Sequence, residues 1–179
     1  RRWRWVSWVK GKRDLMAKSI DDLDVAGKRV LVRGDLNIPM QDGSVSDATR
    51  IDRLVPTLTE LAGKNAKVIV MSHFGHPKGK RDASMSLSPL VEPLRAALGG
   101  LDLVFIDDCV GADAEAAVAA LKPGQVALLE NLRFYPGEEA NDGAFAASLA
   151  ALGDVYINDA FSAAHRAHAS TEAIAHILP

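Results

Sequence analysis

Two histidines, two glycines, a proline and three cations crowd into residues 72–81, directly after the apolar run Val68–Met71. A short apolar run bounded by turn residues reads as a buried strand. Loops at the carboxyl ends of buried parallel strands are where open α/β sheets hold their ligands. With Lys78, Lys80 and Arg81 in it, this loop has the outline of an anion receptor. Similar polar clusters follow four other apolar runs. They are Arg33-Gly34-Asp35-Leu36-Asn37, Asp107-Asp108, Glu130 to Phe134, and Asn158 to Phe161 followed by Ala164 to His168. If all five runs are parallel strands, these clusters share one edge, and most of the arginines beyond the amino-terminal segment meet in one crevice.

Arg50 sharpens this picture. Asp47 is a good helix cap, which puts Arg50 at the third helical position, where a cation faces the positive end of the helix dipole. Local rules are broken most often at functional sites. An arginine at a helix amino terminus suits a phosphate or carboxylate; a surface pair with Asp47 is the plainer reading. Asp35 has two readings of equal weight: acceptor for a ligand hydroxyl, or partner of Arg33 in a capped turn.

Other chemistries fit less well. No Gly-x-Gly-x-x-Gly follows a strand. The loop from Gly75 to Lys80 is one residue short of a phosphate-binding Walker loop, and Arg81 stands where a magnesium-binding serine or threonine is needed. His73/His76 and His165/His168 have zinc-like spacing, but arginines beside them would repel a metal ion, so no metal site is expected.

The elements that position these residues follow from periodicity. Strands are expected at 28–33, 67–71, 101–106, 125–129 and 155–157. Helices are expected at 48–62, 87–98, 113–121 and 141–152, with Pro56 kinking or interrupting the first and Pro93 lying inside the second. This alternation predicts an α/β domain: a three-layer α/β/α, Rossmann-like fold with a mainly parallel sheet. The 179 residues suffice for one domain with a real core. Net charge is −2, yet residues 1–15 carry +5 and the remainder −7. A mildly acidic body argues against a nucleic-acid partner. The single cysteine, Cys109, excludes an internal disulfide and suggests packing at a strand end in a reducing compartment. Residues 1–15 hold all three tryptophans among six cations and are expected to be a disordered extension foreign to the domain. Membrane binding through them is the alternative, but no apolar run is long enough to span a bilayer.

Five segments carry a family resemblance: 32–40 (Val-Arg-Gly-Asp-Leu-Asn-Ile-Pro-Met), 47–51 (Asp-Ala-Thr-Arg-Ile), 72–79 (Ser-His-Phe-Gly-His-Pro-Lys-Gly), 128–134 (Leu-Leu-Glu-Asn-Leu-Arg-Phe) and 158–170 (Asn-Asp-Ala-Phe-Ser-Ala-Ala-His-Arg-Ala-His-Ala-Ser). Together they resemble the amino-terminal domain of phosphoglycerate kinase. The resemblance implies one half of a two-domain, hinge-bending, cytoplasmic and monomeric glycolytic enzyme. That enzyme moves a phosphoryl group between 1,3-bisphosphoglycerate and ADP, giving 3-phosphoglycerate and ATP. It implies that residues 16–170 form the phosphoglycerate-binding domain and that 171–179 begin the connection to a nucleotide domain. Magnesium-ADP or -ATP would be held outside this chain, leaving the chain inactive alone; a non-catalytic anion-binding module is the alternative. It assigns substrate contacts to Asp35, Leu36, Asn37, Arg50, His73, Phe74, Gly75, His76, Arg133 and Arg166. Arg50 would be catalytic, with Arg33, His165 and His168 a supporting basic patch. Two positions depart from the family pattern: His76 stands where arginine is usual, and Gly34 where valine or alanine is usual. A histidine replaces a guanidinium only in part, and only when protonated, so weaker phosphoglycerate binding that improves on acidification is expected.

Overall fold

The computed structural model describes residues 19–179, so the basic, tryptophan-rich extension lies outside the described residues. β1 (Arg29–Arg33) is followed by a small hairpin of β2 (Met40–Gln41) and β3 (Ser44–Val45). Then come β4 (Lys67–Met71), β5 (Leu103–Ile106), β6 (Val126–Leu129) and β7 (Val155–Asn158). The hairpin turn uses Asp42-Gly43, both at positive φ, as a tight two-residue connection requires. The other five strands form one sheet in the order β5-β6-β4-β1-β7, parallel throughout. Arg33 lies level with Met71 on one side and Asn158 on the other, so the polar clusters after β1, β4 and β7 emerge together.

Alternation along the strands divides the core in two. Val30, Val32, Val68, Val70, Val126 and Leu128 face α1 (Thr49–Gly63) and α2 (Val91–Ala97). Leu31, Ile69, Met71, Ala127, Leu129 and Tyr156 face the opposite layer, which includes α3 (Ala112–Ala119) and α5 (Gly143–Ala150). Successive side chains on a strand point to opposite faces, and both faces here are covered by helices. The three-layer α/β/α expectation is therefore met. Cys109 is buried just beyond β5, as expected.

Several boundaries differ from expectation. Pro56 does not interrupt α1, which runs for 15 residues through it. Ile51, Leu54, Leu58 and Leu61 are buried along one face of that helix on both sides of the proline, and this packing outweighs one missing backbone bond. The helix expected over 87–98 begins as a single 3-10 turn at Ser88–Leu90. Pro93 is then the third residue of α2, where its lack of an N–H is harmless. A short helix, α4 (Pro136–Glu139), precedes α5 where none was expected. Residues 171–179 fold back onto the sheet. Ile174 is fully buried, and the Tyr156 N–H donates to the Pro179 carbonyl at 2.9 Å. No described helix is long and apolar enough to cross a membrane.

Gly34 ends β1 under tight constraint. Its N–H donates to the Met71 carbonyl at 2.9 Å, and a Cβ there would lie 2.8 Å from Leu54 Cδ2. Leu54 thus fills the space that a branched side chain at position 34 would take. Gly34→Val should cost about 1–3 kcal/mol of stability by overpacking. Leu54→Ala in the same chain should cost less than it does alone. Urea unfolding of the four proteins checks this; a Gly34→Val protein as stable as the parent would overturn it.

Candidate functional site

Arg50 sits at the second position of α1, not the third. Ala48 is the helix N-cap, while the Asp47 carboxylate accepts from Thr49 N–H at 2.9 Å. Arg50 does not pair with Asp47. Its Nη1 donates to Asp35 Oδ2, which also accepts from the Ser162 hydroxyl. Burial pushes the Asp35 carboxyl up, but the Ser162 and Arg50 hydrogen bonds outweigh it and hold the group below the ordinary range. Asp35 is therefore a carboxylate that fixes Arg50 rather than a partner of Arg33.

Arg33 goes elsewhere. It is fully buried, donating from Nε to Ser170 Oγ at 2.9 Å and from Nη1 to the Gly34 carbonyl. Its Nη2 lies 2.8 Å from His73 Nδ1. A guanidinium can only donate, so His73 Nδ1 accepts and the imidazole proton sits on Nε2. Burial, then the charges of Arg33 and Arg133, pushes His73 down to about 3, so the ring is neutral at physiological pH. Ser72 ties the strand ends together: its Oγ donates to the Gly34 carbonyl at 3.0 Å and accepts from Leu36 N–H at 2.9 Å.

The third wall comes from the turn Leu132–Phe134. Asn131 caps it, accepting from Arg133 N–H at 3.0 Å. The same side chain clamps Phe74 through both of its backbone groups. Arg133 is almost fully buried, with Nη1 donating to the Gly75 carbonyl at 2.9 Å and to His76 Nδ1 at 2.9 Å. Its Nε has no hydrogen-bond partner; Glu139 Oε1 stands 3.6 Å away. Burial pushes the Arg133 guanidinium below its ordinary value, Glu139 opposes this, and nearby Arg166 adds to it. Guanidinium does not deprotonate in proteins, so the result is a buried cation whose charge is incompletely compensated.

These walls enclose a cleft of about 160 Å³ lined by Asn37, Arg50, His73, His76, Arg133, Ser162, Ala163 and Arg166. A larger groove of about 300 Å³ is lined in part by Phe74, but none of its lining residues is charged, so the smaller cleft is the one whose chemistry suits an anion. Six of the expected substrate residues therefore meet at the cleft, and Asp35 stands directly behind Arg50. Leu36 is wholly buried. Phe74 lines the larger groove. Gly75 frames the cleft wall through its backbone, its N–H donating to Asn37 Oδ1 at 2.9 Å. His165 and His168 are not in the lining. Of the eight arginines beyond the extension, three line the cleft and Arg33 lies buried beneath it, fewer than expected. Arg29, Arg81 and Arg95 pair with Asp154, Asp107 and Glu92. Lys78, Lys80 and Arg81, which first suggested an anion receptor, are absent from the lining; the loop contributes its histidines instead. Among the described residues no three His, Cys, Asp or Glu side chains gather as a metal site.

Three arginines, two histidines and an amide thus meet at the carboxyl edge of a parallel sheet. The sequence profile described as phosphoglycerate kinase matches residues 20–179. The chain belongs to the phosphoglycerate kinase family. Curated phosphoglycerate kinases from Rhodospirillum centenum and a Ruegeria species are 68% and 60% identical to it over 162 residues, 90% of this chain. Among solved structures, phosphoglycerate kinase from Coxiella burnetii superposes with a TM-score of 0.77 at 35% identity, over 89% of this chain and 39% of that one. The enzyme from Pyrococcus horikoshii superposes at 0.79 and 32%, over 89% and 40%. The chain spans about two fifths of the length of these family members.

Sequence reasoning missed Ser162, Ser170 and Glu138 as parts of the site. Both serines lie inside a motif read for its histidines and arginine. Glu138 carries no signal at all, because nothing local marks a glutamate for full burial.

Proposed function

We propose that this chain forms the phosphoglycerate-binding half of a cytoplasmic, monomeric phosphoglycerate kinase, the half that holds 3-phosphoglycerate or 1,3-bisphosphoglycerate during phosphoryl exchange with ADP and ATP. Magnesium-nucleotide would be supplied from outside the residues described. The observation that carries this reading is the convergence of Arg50, Arg133 and Arg166 on one cleft with His73 and Asn37. Three guanidinium groups in one cleft call for an anionic ligand to offset their charge. A phosphate suits them, because guanidinium forks match phosphate oxygens.

Division of labour follows from the contacts. Arg133 and Arg166 take the phosphate. His73 donates from Nε2 without carrying a charge, and Asn37, held by Gly75, presents its amide. Arg50, steadied by Asp35, stands at a helix amino terminus where charge builds up on the transferring group. Phosphoryl transfer depends on positioning and charge neutralisation rather than on covalent chemistry by the protein.

Titration calorimetry with 3-phosphoglycerate tests the reading directly, and a coupled ADP/ATP assay with an added nucleotide domain tests turnover. Binding of 3-phosphoglycerate with no turnover alone, and turnover on complementation, is the expected result; no binding would overturn it. His76 should limit affinity. It now serves Arg133 as an acceptor, a role that needs an unprotonated Nδ1. His76→Arg should therefore bind 3-phosphoglycerate more tightly at pH 8, by about fivefold or more. Equal affinities would remove His76 from the account.

A further inference from the structure

A polar chain runs beneath the cleft from a carboxylate to the histidine, and no group on it but the histidine reaches the cleft. Both carboxylate oxygens of Glu138 are occupied by Ser170: Oε1 accepts from its hydroxyl at 2.5 Å and Oε2 from its N–H at 3.0 Å. The same hydroxyl accepts from Arg33 Nε at 2.9 Å, and Arg33 Nη2 reaches His73 Nδ1 at 2.8 Å. Arg33, Glu138 and Ser170 are all about fully buried. Each link has only one allowed direction. Arginine must donate to serine, serine must then donate to the carboxylate, and arginine must donate to the imidazole. The Tyr156 hydroxyl, donating to the Ser170 carbonyl at 2.7 Å, holds the serine backbone in place.

We propose that Glu138 and Ser170 are positioning residues: through Arg33 they fix His73 as a neutral imidazole with its proton on Nε2, the nitrogen left for the cleft. The carboxylate offsets the buried Arg33 charge, and the serine hydroxyl orients the guanidinium so that Nη2 meets Nδ1. Without that donor, Nδ1 could hold the proton itself, and a ligand would meet the wrong tautomer. Other charged groups face His73 as well: Arg133 from the Leu132–Phe134 turn, Arg166 from the loop after β7, and Asp35 from the loop after β1. None of these is hydrogen-bonded to Nδ1. The relevance of the tautomer to phosphoglycerate rests on the function proposed above, but the tautomer itself does not.

The test uses the chain labelled with 15N-histidine and long-range 1H–15N NMR. In the unaltered protein His73 should show a proton on Nε2 and none on Nδ1 from pH 8 to pH 5. In Ser170→Ala and Glu138→Gln that signature should give way to a mixture of tautomers or to titration within this range. Ser170→Thr, which keeps the hydroxyl, should restore it. The dissociation constant for 3-phosphoglycerate should rise about fivefold in Ser170→Ala and recover in Ser170→Thr. An Nδ1–H tautomer or a titrating His73 in the unaltered protein would overturn the proposal, whatever the fate of the variants. So would a folded Ser170→Ala with the parental signature. Failure of the parent to bind 3-phosphoglycerate would instead count against the proposed function and leave the tautomer result standing.

Discussion

Arg133→Met should lower affinity for 3-phosphoglycerate by about a hundredfold or more, while the ligand-free chain keeps its stability to within about 1 kcal/mol. The binding loss follows from charge-assisted hydrogen bonds in a buried site, worth about 1.5–3 kcal/mol each. The small stability change follows from what Arg133 does in the empty cleft. It gives up two hydrogen bonds, to Gly75 and His76, on substitution. In exchange the fold sheds a buried charge whose Nε makes no hydrogen bond and whose ion pair with Glu139 is 3.6 Å long. Methionine has a similar length and fills the volume without polar atoms. Arg133→Lys should fall between, keeping charge but not the fork. Calorimetry and urea unfolding on the same preparations separate the two effects. A Met variant that binds as the parent does, or that fails to fold, would remove Arg133 from the centre of the site. Such a separation of binding from stability marks a residue held in place for its ligand.

Mild acid should destabilise the fold through His73. Its imidazole is pushed to about 3 in the folded chain and returns to about 6.5 on unfolding. Above pH 6.5 both states leave it neutral and nothing depends on pH. Between pH 6.5 and pH 3 the unfolded chain takes up the proton and the folded chain does not. Each pH unit lost in that window therefore costs about 1.4 kcal/mol. Going from pH 6.5 to 4.5 should remove roughly 2 kcal/mol. His168, also held below its ordinary value by burial, adds to this in the same direction. The Asp35 carboxyl is depressed, so its contribution is lost only as pH falls through its ordinary value of 3.8, below the two pH values compared. His73→Gln keeps an acceptor for Arg33 and cannot titrate, so most of the slope should disappear. Urea midpoints at the two pH values for both proteins provide the check. Equal losses in the two proteins would mean that His73 is already protonated in the fold.

These predictions draw on different levels of information. The five strands, the helices on both faces and the shared carboxyl edge follow from apolar runs and their spacing, because burial on a sheet or helix repeats with the backbone period. Asn37, Arg50, His73, His76, Arg133 and Arg166 lie in the polar stretches after strands or at a helix start, which parallel topology brings together, while the family resemblance is what implied their substrate contacts. Element boundaries were less legible. Pro56 inside α1 and the extra turn α4 were decided by packing against neighbours that no local window contains.

By itself, then, the sequence determined the α/β fold, the family and six of the side chains that line one cleft. Only the tertiary structure decided who pairs with whom. Asp35 could have held Arg33 and instead holds Arg50; the lysines of the 72–81 loop turn aside and its histidines turn in. The chain Glu138–Ser170–Arg33–His73 joins residues up to 137 positions apart. Hydrogen bonding is directional and short-ranged, so partners at that separation are chosen by where the packed core sets each backbone, and no local pattern records that choice.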